Sequence, residues 1–146
     1  MDKDVLTDEP LRVSTIAGFA PLIAGGLEKE RLRDLLGALD SEAFCGNSSL
    51  RYRLPPSTSP EEPGFHPRSY WRGPVWPVAN WLLWWSLLRA GEDERADLMR
   101  RETLEELSEG GFAEYFEPFT GEPLGSGEQS WTAAVALDML ASGDIG

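Results

Sequence analysis

The sequence predicts an all-α protein with one domain at most. Its 146 residues contain five segments in which apolar residues recur at helical spacing, and only one short segment alternates as a strand would. Three of the helical segments end at glycine, a residue that commonly follows a helix, at Gly25, Gly91 and Gly110. Apolar side chains make up 41% of the chain, which argues against a disordered protein.

Local signals define each predicted helix. The expected helices span residues 15–23, 28–39, 77–90, 93–109 and 131–140. A polar lead-in over residues 1–10 precedes them. Pro77 suits the first turn of the third helix, because a proline there loses no hydrogen bond. That helix is apolar on most sides and must therefore be covered by other helices. Ser130 is the predicted N-cap of the last helix.

Residues 41–69 form the longest stretch without helical periodicity, and they are rich in proline. A structureless connection of this length inside a compact domain usually belongs to an active site or a binding site. A linker between two domains has a similar composition. Neither flank is long enough to be an independent domain, so we favour a functional loop.

Composition and charge exclude several functions. The chain has 13 basic and 25 acidic residues, a net charge of −12, so we expect no nucleic-acid partner. Cys45 and His66 are the only residues of their types, which excludes a disulfide framework and a Cys/His metal site. The apolar run at 75–88 is too short to cross a membrane. The N-terminus is acidic where a signal peptide would be basic, so we expect a cytoplasmic protein.

Aromatic residues are concentrated immediately before the third helix. The stretch YWRGPVW places Tyr70, Trp71, Arg72 and Trp76 around a Gly-Pro turn. Sugar rings stack on such aromatic faces because one side of a sugar carries mainly C–H groups, while its hydroxyls bond to polar groups at the edge. The alternative is an aromatic anchor for the helix that follows, and composition alone favours that alternative.

A carboxylate lies between aromatic residues in the short alternating segment. If residues 112–116 are extended, Phe112, Glu114 and Phe116 share one face. A carboxylate on an inward apolar face is costly unless it is paired or used, which suits a group that accepts a proton in catalysis. The alternative is that Glu114 lies in water, as most glutamates do. Spacing alone leaves both interpretations open.

The third candidate segment is the stretch GSGEQSWTAA at 125–134. It places Gln129 and Trp131 at the predicted N-terminus of the last helix. Unpaired N–H groups at such a terminus are able to polarise a sugar hydroxyl or bind an anion. Ordinary helix capping is the alternative.

Three motifs occur in an order that resembles the C-terminal part of glycoside hydrolase family 63. Residues 70–77 read YWRGPVWP, residues 114–126 read EYFEPFTGEPLGS, and residues 129–134 read QSWTAA. The earlier stretches TIAGFAPLIAG and PEEPGF fit the same pattern. The resemblance covers the chain from about residue 11 to residue 141, and it is closest to the bacterial enzymes of this family that act on glycerate glycosides.

The resemblance implies an (α/α)6 barrel with the sugar bound at one mouth, and an inverting mechanism. In that mechanism a general acid protonates the glycosidic oxygen while a general base activates a water on the opposite face. Glu114 matches the base of the family, and Tyr70 and Gln129 match positions that hold the glycerate end. The residues that match the walls of the active site are Trp71, Arg72, Trp76 and Trp131.

The resemblance also implies an incomplete barrel. Five predicted helices are too few, and the sequence lacks the tryptophan-rich motif that carries the Asp general acid of the family. We therefore expect the C-terminal third of a hydrolase of a small glycoside such as glucosylglycerate or mannosylglycerate. No cofactor is expected, and residues 41–69 would close part of the mouth. The expected partner is the missing N-terminal part of the barrel or a second copy. The alternatives are a non-catalytic carbohydrate-binding fragment and a trehalase-like or broader α-glucosidase.

Two physical consequences follow from the resemblance. A partial barrel leaves inward faces uncovered, notably around Trp81, Trp84 and Trp85, so we expect the isolated chain to be unstable or oligomeric and inactive. A glycerate glycoside is an anion, which a chain of net charge −12 repels at long range. Arg68 and Arg72 are the cations expected to offset that repulsion.

Overall fold

The computed structural model describes residues 3–142, which are predominantly helical. The α-helices of this part of the chain are α1 (Ala20–Ala24), α2 (Lys29–Leu39), α3 (Pro77–Ala90), α4 (Asp93–Gly110) and α5 (Ser130–Ala141). Short 3-10 turns lie at Ile16–Phe19 and Tyr70–Arg72, and β1 (Tyr115–Phe116) pairs antiparallel with β2 (Pro123–Leu124). The predicted all-α fold class is confirmed. Residues 1–2 of the polar lead-in lie outside the described residues.

Helix α3 is the centre of the structure. It packs against α1, α4 and α5, and it forms a helical hairpin with α4. Gly91, at φ 75°, ends α3 in the left-handed conformation that glycine adopts without strain. Leu83, Trp84 and Leu87 of α3 belong to the main hydrophobic core, whereas Trp85 remains exposed. The apolar third helix is thus covered by other helices on one side only.

The first predicted helix is divided in the structure. A 3-10 turn occupies Ile16–Phe19, and α1 begins at Ala20 after a break at Phe19, where φ is −89° and ψ is 2°. The reason is Pro21, which has no N–H to donate to the carbonyl of Ala17 and whose ring would crowd that carbonyl. The helix restarts with this proline in its first turn.

Helix α5 begins one residue earlier than the sequence predicts. Its N-cap is Gln129, which is extended at φ −86° and ψ 117°. The Gln129 N–H donates to the carbonyl of Phe112 at 2.8 Å, and this bond holds the cap residue outside the helix. Ser130 is therefore the first helical residue, and the prediction that it caps the helix is wrong.

The long segment between α2 and α3 is largely built into the core. Residues 54–59 are all buried, and backbone hydrogen bonds tie Ser57 to Ile16 and to Pro74, each at 3.0 Å. This central part is therefore anchored between the first 3-10 turn and the segment before α3. Residues 60–69 are half-buried or exposed and lead into the Tyr70–Arg72 turn. The assignment of residues 41–69 as an active-site loop stays a prediction.

Membrane-spanning helices and clusters of metal ligands are absent from the described residues. None of the helices between residues 3 and 142 combines the length and the apolar character that a membrane crossing requires. Within the same range, no three His, Cys, Asp or Glu side chains cluster as metal ligands would. Cys45 is buried, and burial raises the pKa of its thiol to about 12.

Candidate active site

The Tyr70–Arg72 turn presents two aromatic rings at the surface. Tyr70 has a left-handed backbone at φ 40°, which is uncommon for a residue other than glycine and points to a local constraint. The Arg72 carbonyl accepts the His66 N–H at 2.6 Å, and the Thr58 hydroxyl donates to the Trp71 carbonyl at 2.9 Å. Tyr70 and Trp71 are 50% and 45% exposed.

Trp71, Trp76 and Tyr115 form an aromatic stack. The Trp71 and Trp76 rings are 4.0 Å apart and 5° from parallel, and the Trp76 and Tyr115 rings are 4.7 Å apart at 27°. Tyr70 packs edge-on against Trp76 at 4.8 Å, and the Trp76 indole N–H donates to the Tyr70 carbonyl at 3.2 Å. Trp76 is only 1% exposed. It therefore lies behind Trp71 and supports it, and the outer face of Trp71 is the surface a ligand is able to reach.

Tyr115 is the member of the stack that sequence reasoning missed. The signal that could have found it is its position next to the candidate carboxylate, Glu114, in the sequence. Periodicity does not reveal the partner of that ring, because Trp76 comes from a distant segment. The two segments meet through paired backbone hydrogen bonds of 2.9 Å between Val75 and Phe116.

The segment 112–116 departs from the predicted alternation. Only Tyr115–Phe116 is a strand, Ala113 and Phe116 are buried, and Phe112 is exposed. The prediction that Phe112, Glu114 and Phe116 share one inward face is therefore wrong. The reason is that residues 112–114 run beside the loop between β2 and α5 and have no regular strand partner. Phe112 forms only an isolated bridge with Glu128 of that loop.

Glu114 is half-buried and is held by the loop before α5. Its backbone N–H donates to the Ser126 carbonyl at 2.8 Å, and its Oε2 accepts the Ser126 N–H at 3.3 Å. No Lys or Arg in residues 3–142 forms an ion pair with this carboxylate. A carboxylate that is oriented by the backbone and not neutralised by a basic side chain is suited to accepting a proton.

The two other predicted site residues lie on either side of the start of α5. Gln129 is half-buried and is tied to the Glu114 segment through its bond to Phe112. Trp131 is exposed and is not part of the aromatic stack. Thr132 is fully buried, and its hydroxyl donates to the Ala113 carbonyl at 2.8 Å. The helix start and the carboxylate segment are therefore joined by two bonds.

The two candidate cations differ in their partners. Arg68 pairs with Glu122 through both carboxylate oxygens, with Nη2 at 2.9 Å from Oε1. Hydrogen bonding to this guanidinium lowers the pKa of Glu122. Arg72 is exposed, its Nε donates to the Gly64 carbonyl at 3.0 Å, and it forms no ion pair within residues 3–142. Of the two candidate cations, Arg72 is therefore the one whose charge no carboxylate of residues 3–142 neutralises.

Exposed aromatic rings and an oriented carboxylate, carried by segments that the Val75–Phe116 bonds join, are typical of the carbohydrate-active enzymes. The model of the mannosylglycerate hydrolase MGH1-like glycoside hydrolase domain matches residues 1–132, and the chain belongs to this family. Among its relatives, the glucosylglycerate hydrolase of Mycolicibacterium hassiacum is 57% identical over 95% of this chain and 31% of that protein. The mannosylglycerate hydrolase of Thermus thermophilus is 38% identical over 92% of this chain and 31% of that protein.

Solved structures agree with the sequence relationship. The crystal structure of a family 63 mannosylglycerate hydrolase from Thermus thermophilus with Tris and D-glycerate matches with a TM-score of 0.81 and 38% identity, over 95% of this chain and 32% of that one. Its complex with glucose matches with a TM-score of 0.80 and 35% identity, over 95% and 34% of the respective chains. The resemblance to family 63 is confirmed, and the chain spans about a third of the length of the relatives it matches.

Proposed function

We propose that this chain is the part of an inverting glycoside hydrolase that carries the general base and much of the sugar-binding surface. The observation that supports this most directly is Glu114, a half-buried carboxylate that is oriented by the Ser126 N–H. It precedes Tyr115, whose ring belongs to the aromatic stack. We propose glucosylglycerate or mannosylglycerate as the substrate, because two relatives are hydrolases of these compounds.

In this proposal Glu114 takes a proton from a water molecule as that water attacks the anomeric carbon. The glycosidic C–O bond breaks, and the leaving oxygen receives a proton from the general acid. The water enters on the face opposite the leaving group, so the configuration inverts. Glu114 then returns its proton to solvent, and the reaction requires no cofactor. We place the general acid in a part of the barrel that this chain does not contain.

The aromatic residues supply the binding surface. The exposed face of Trp71 would stack on the C–H-rich side of the sugar ring, and Trp76 would act through Trp71 as its support. We propose that Tyr70 and Gln129 hold the glycerate end. Both residues match positions that hold the glycerate end in this family, and Tyr70 is exposed while Gln129 is half-buried.

Arg72 and Trp131 complete the proposed walls of the site. A glycerate glycoside carries a carboxylate, and the chain as a whole has a net charge of −12, so a local cation is needed to favour binding. Arg72 fits this role because no described carboxylate pairs with it, whereas Arg68 is already paired with Glu122. Trp131 offers a second exposed aromatic face at the start of α5.

The proposed partner of the chain is the remainder of the barrel. Exposed apolar side chains occur on α3 and α5, namely Trp85, Leu88, Leu137 and Leu140. Such a surface promotes association, so we propose that the missing helices cover it in the complete enzyme and that the isolated chain self-associates. Trp84, in contrast, is buried within this chain and is not part of that surface.

A chimera tests the proposal. This chain replaces the matching part of the Mycolicibacterium glucosylglycerate hydrolase, and glucose release from glucosylglycerate is measured. We expect the chimera to be active, the isolated chain to be inactive, and Glu114→Gln to lower kcat of the chimera by about 10²–10⁴-fold, the usual contribution of a general base. Equilibrium binding of the substrate should persist in this variant.

The matched control is Glu105→Gln, which makes the same change at an exposed glutamate on α4. It should leave kcat within about twofold of the chimera, as expected for a surface substitution. An unchanged kcat in Glu114→Gln would refute the assignment of the base and favour a non-catalytic carbohydrate-binding role. Full activity of the isolated chain would refute the need for the missing part of the barrel.

A further inference from the structure

The loop between β2 and α5 runs alongside the segment that carries Glu114. Tyr115 is paired with Leu124 in the two-stranded sheet, and the Glu114 N–H bonds to the Ser126 carbonyl at 2.8 Å. Further along, the Gln129 N–H bonds to the Phe112 carbonyl at 2.8 Å. These contacts join the two segments over their whole length, so the loop is a wall against which the carboxylate rests.

Gly125 is the point of closest approach in this wall. A Cβ atom built there would lie 2.6 Å from Glu114 Oε2, 2.8 Å from Glu114 Cβ and 2.7 Å from Tyr115 Cε1. All three separations are shorter than those real Cβ atoms adopt. The carboxylate and the edge of the tyrosine ring therefore occupy the space that any other residue would need at Gly125.

The backbone N–H of the residue after this glycine also contacts the Glu114 carboxylate. Gly125 has φ of +73°, and the next N–H, that of Ser126, donates to Glu114 Oε2 at 3.3 Å. Because one carboxylate oxygen both fills the space beside Gly125 and accepts the following N–H, its position is determined by two adjacent residues. Tyr115 on the other side links the same glycine to the aromatic stack.

We propose that Gly125 is a positioning residue that sets the orientation of the Glu114 carboxylate relative to the aromatic stack. The inference rests on the proposed function, in which Glu114 is the general base. It assigns to Gly125 a role beyond making a turn: the missing side chain leaves room for the carboxylate against the loop. A base that is displaced by even one ångström loses much of its effect, because the reacting atoms no longer meet in line.

Two other glycines allow the effect of a positive φ to be separated from the effect of contact with Glu114. Gly121 has φ of +74°, nearly the same as Gly125, but the nearest atoms to a Cβ there belong to Tyr52 and Arg51, at 3.1 and 3.3 Å. Gly127 lies in the same loop with ordinary φ and nothing within 4 Å of its built Cβ. Alanine at Gly121 therefore reports the strain of a positive φ with milder crowding and no contact with Glu114, and alanine at Gly127 reports a change in the loop without contact.

The experiment compares Gly125→Ala, Gly121→Ala and Gly127→Ala in the chimera. We expect Gly125→Ala to lower kcat by about 10–100-fold with a smaller change in KM, because the base is misplaced while the binding surface remains. Gly121→Ala should lower the thermal midpoint but keep kcat within about threefold, and Gly127→Ala should change neither. Equal kcat in Gly125→Ala and Gly121→Ala would overturn the proposal.

Asparagine distinguishes strain from contact at each position. Asn tolerates a left-handed backbone better than Ala but still carries a Cβ. Gly121→Asn should recover the stability lost in Gly121→Ala, whereas Gly125→Asn should not recover kcat. Recovery of kcat in Gly125→Asn would show that only the backbone conformation matters and would overturn the proposal.

A measurement on the resting chimera, without substrate, is independent of catalysis. The amide proton resonance of Ser126 should shift as the Glu114 carboxylate ionises, because that carboxylate accepts its hydrogen bond. The shift should be absent in Glu114→Gln. If the Ser126 resonance does not follow the titration of Glu114, the proposed contact is wrong even if Glu114→Gln abolishes hydrolysis. An active Glu114→Gln chimera would instead refute the proposed function and leave the contact standing.

Discussion

Replacing Trp76 with leucine tests whether this buried ring supports the binding surface. The ring is enclosed between Trp71 and Tyr115, and its N–H bonds to the Tyr70 carbonyl at 3.2 Å. Each stacking contact is worth about 0.5–1.5 kcal/mol beyond burial. The hydrogen bond contributes about 0.5–1.5 kcal/mol more. These three interactions are lost in Trp76→Leu in addition to the ordinary cost of a smaller core residue.

The matched control is Trp84→Leu. Trp84 lies in α3, is 4% exposed, and belongs to the main core without a stacked aromatic partner among residues 3–142. Both variants lose a buried indole, so the difference between them reports the stack and the hydrogen bond. We expect the free energy of unfolding to fall by at least about 1.5 kcal/mol more in Trp76→Leu than in Trp84→Leu.

Urea unfolding of the two variants in the chimera measures this difference, and their KM values measure its effect on binding. Loss of a well-placed Trp71 face should raise KM of Trp76→Leu by about tenfold, which corresponds to roughly 1.4 kcal/mol of binding energy. Trp84→Leu should leave KM nearly unchanged. If the two variants are equally destabilised and KM is the same in both, Trp76 is an ordinary core residue and the support role is refuted.

Two further predictions concern charge. Burial and the nearby Glu102 raise the pKa of Glu106 well above 4.5. The folded state therefore keeps a proton on Glu106 that the unfolded chain releases. As a result the free energy of unfolding falls as the pH rises from 4.5 towards the pKa of the folded state. Glu106→Gln should therefore raise the thermal midpoint more at about pH 7 than at about pH 4, and an equal gain at both pH values would contradict this. Arg72→Met should weaken binding of glucosylglycerate to the chimera more than binding of a neutral disaccharide. Arg68→Met, whose parent side chain is already paired with Glu122, should show no such preference, and equal losses on both ligands in Arg72→Met would count against a carboxylate-binding role.

Much of the secondary structure was predictable because its signals are local. The amphipathic pattern of α2 and α4 and the glycine after α3 depend on neighbouring residues only, and their boundaries agree with the structure to within one residue. The break near Pro21 was also a local signal, although the apolar pattern across it suggested a continuous helix. The burial of residues 54–59 was not predictable, because a proline-rich composition occurs both in exposed loops and in buried segments without regular structure.

The candidate site also has some features that the sequence indicated and others that it did not. Trp71 and Trp76 lie on either side of a Gly-Pro turn, so their sequence spacing already indicated that they act together. Tyr115 and Gly125 gave no such signal, because their partners come from other segments. The exposure of Phe112 likewise depends on the β2–α5 loop and not on the alternation of its own segment.

By itself the sequence determined that the chain is helical, where its aromatic residues and its candidate carboxylate lie along the chain, and which family it resembles. Only the tertiary structure decided which of these residues face outwards: Trp71 is exposed and Trp76 is buried behind it. It also decided that Arg68 is paired and that Glu114 rests on Gly125. The physical reason is that burial and pairing depend on which distant segments meet, and a local pattern of residues contains no information about its partner.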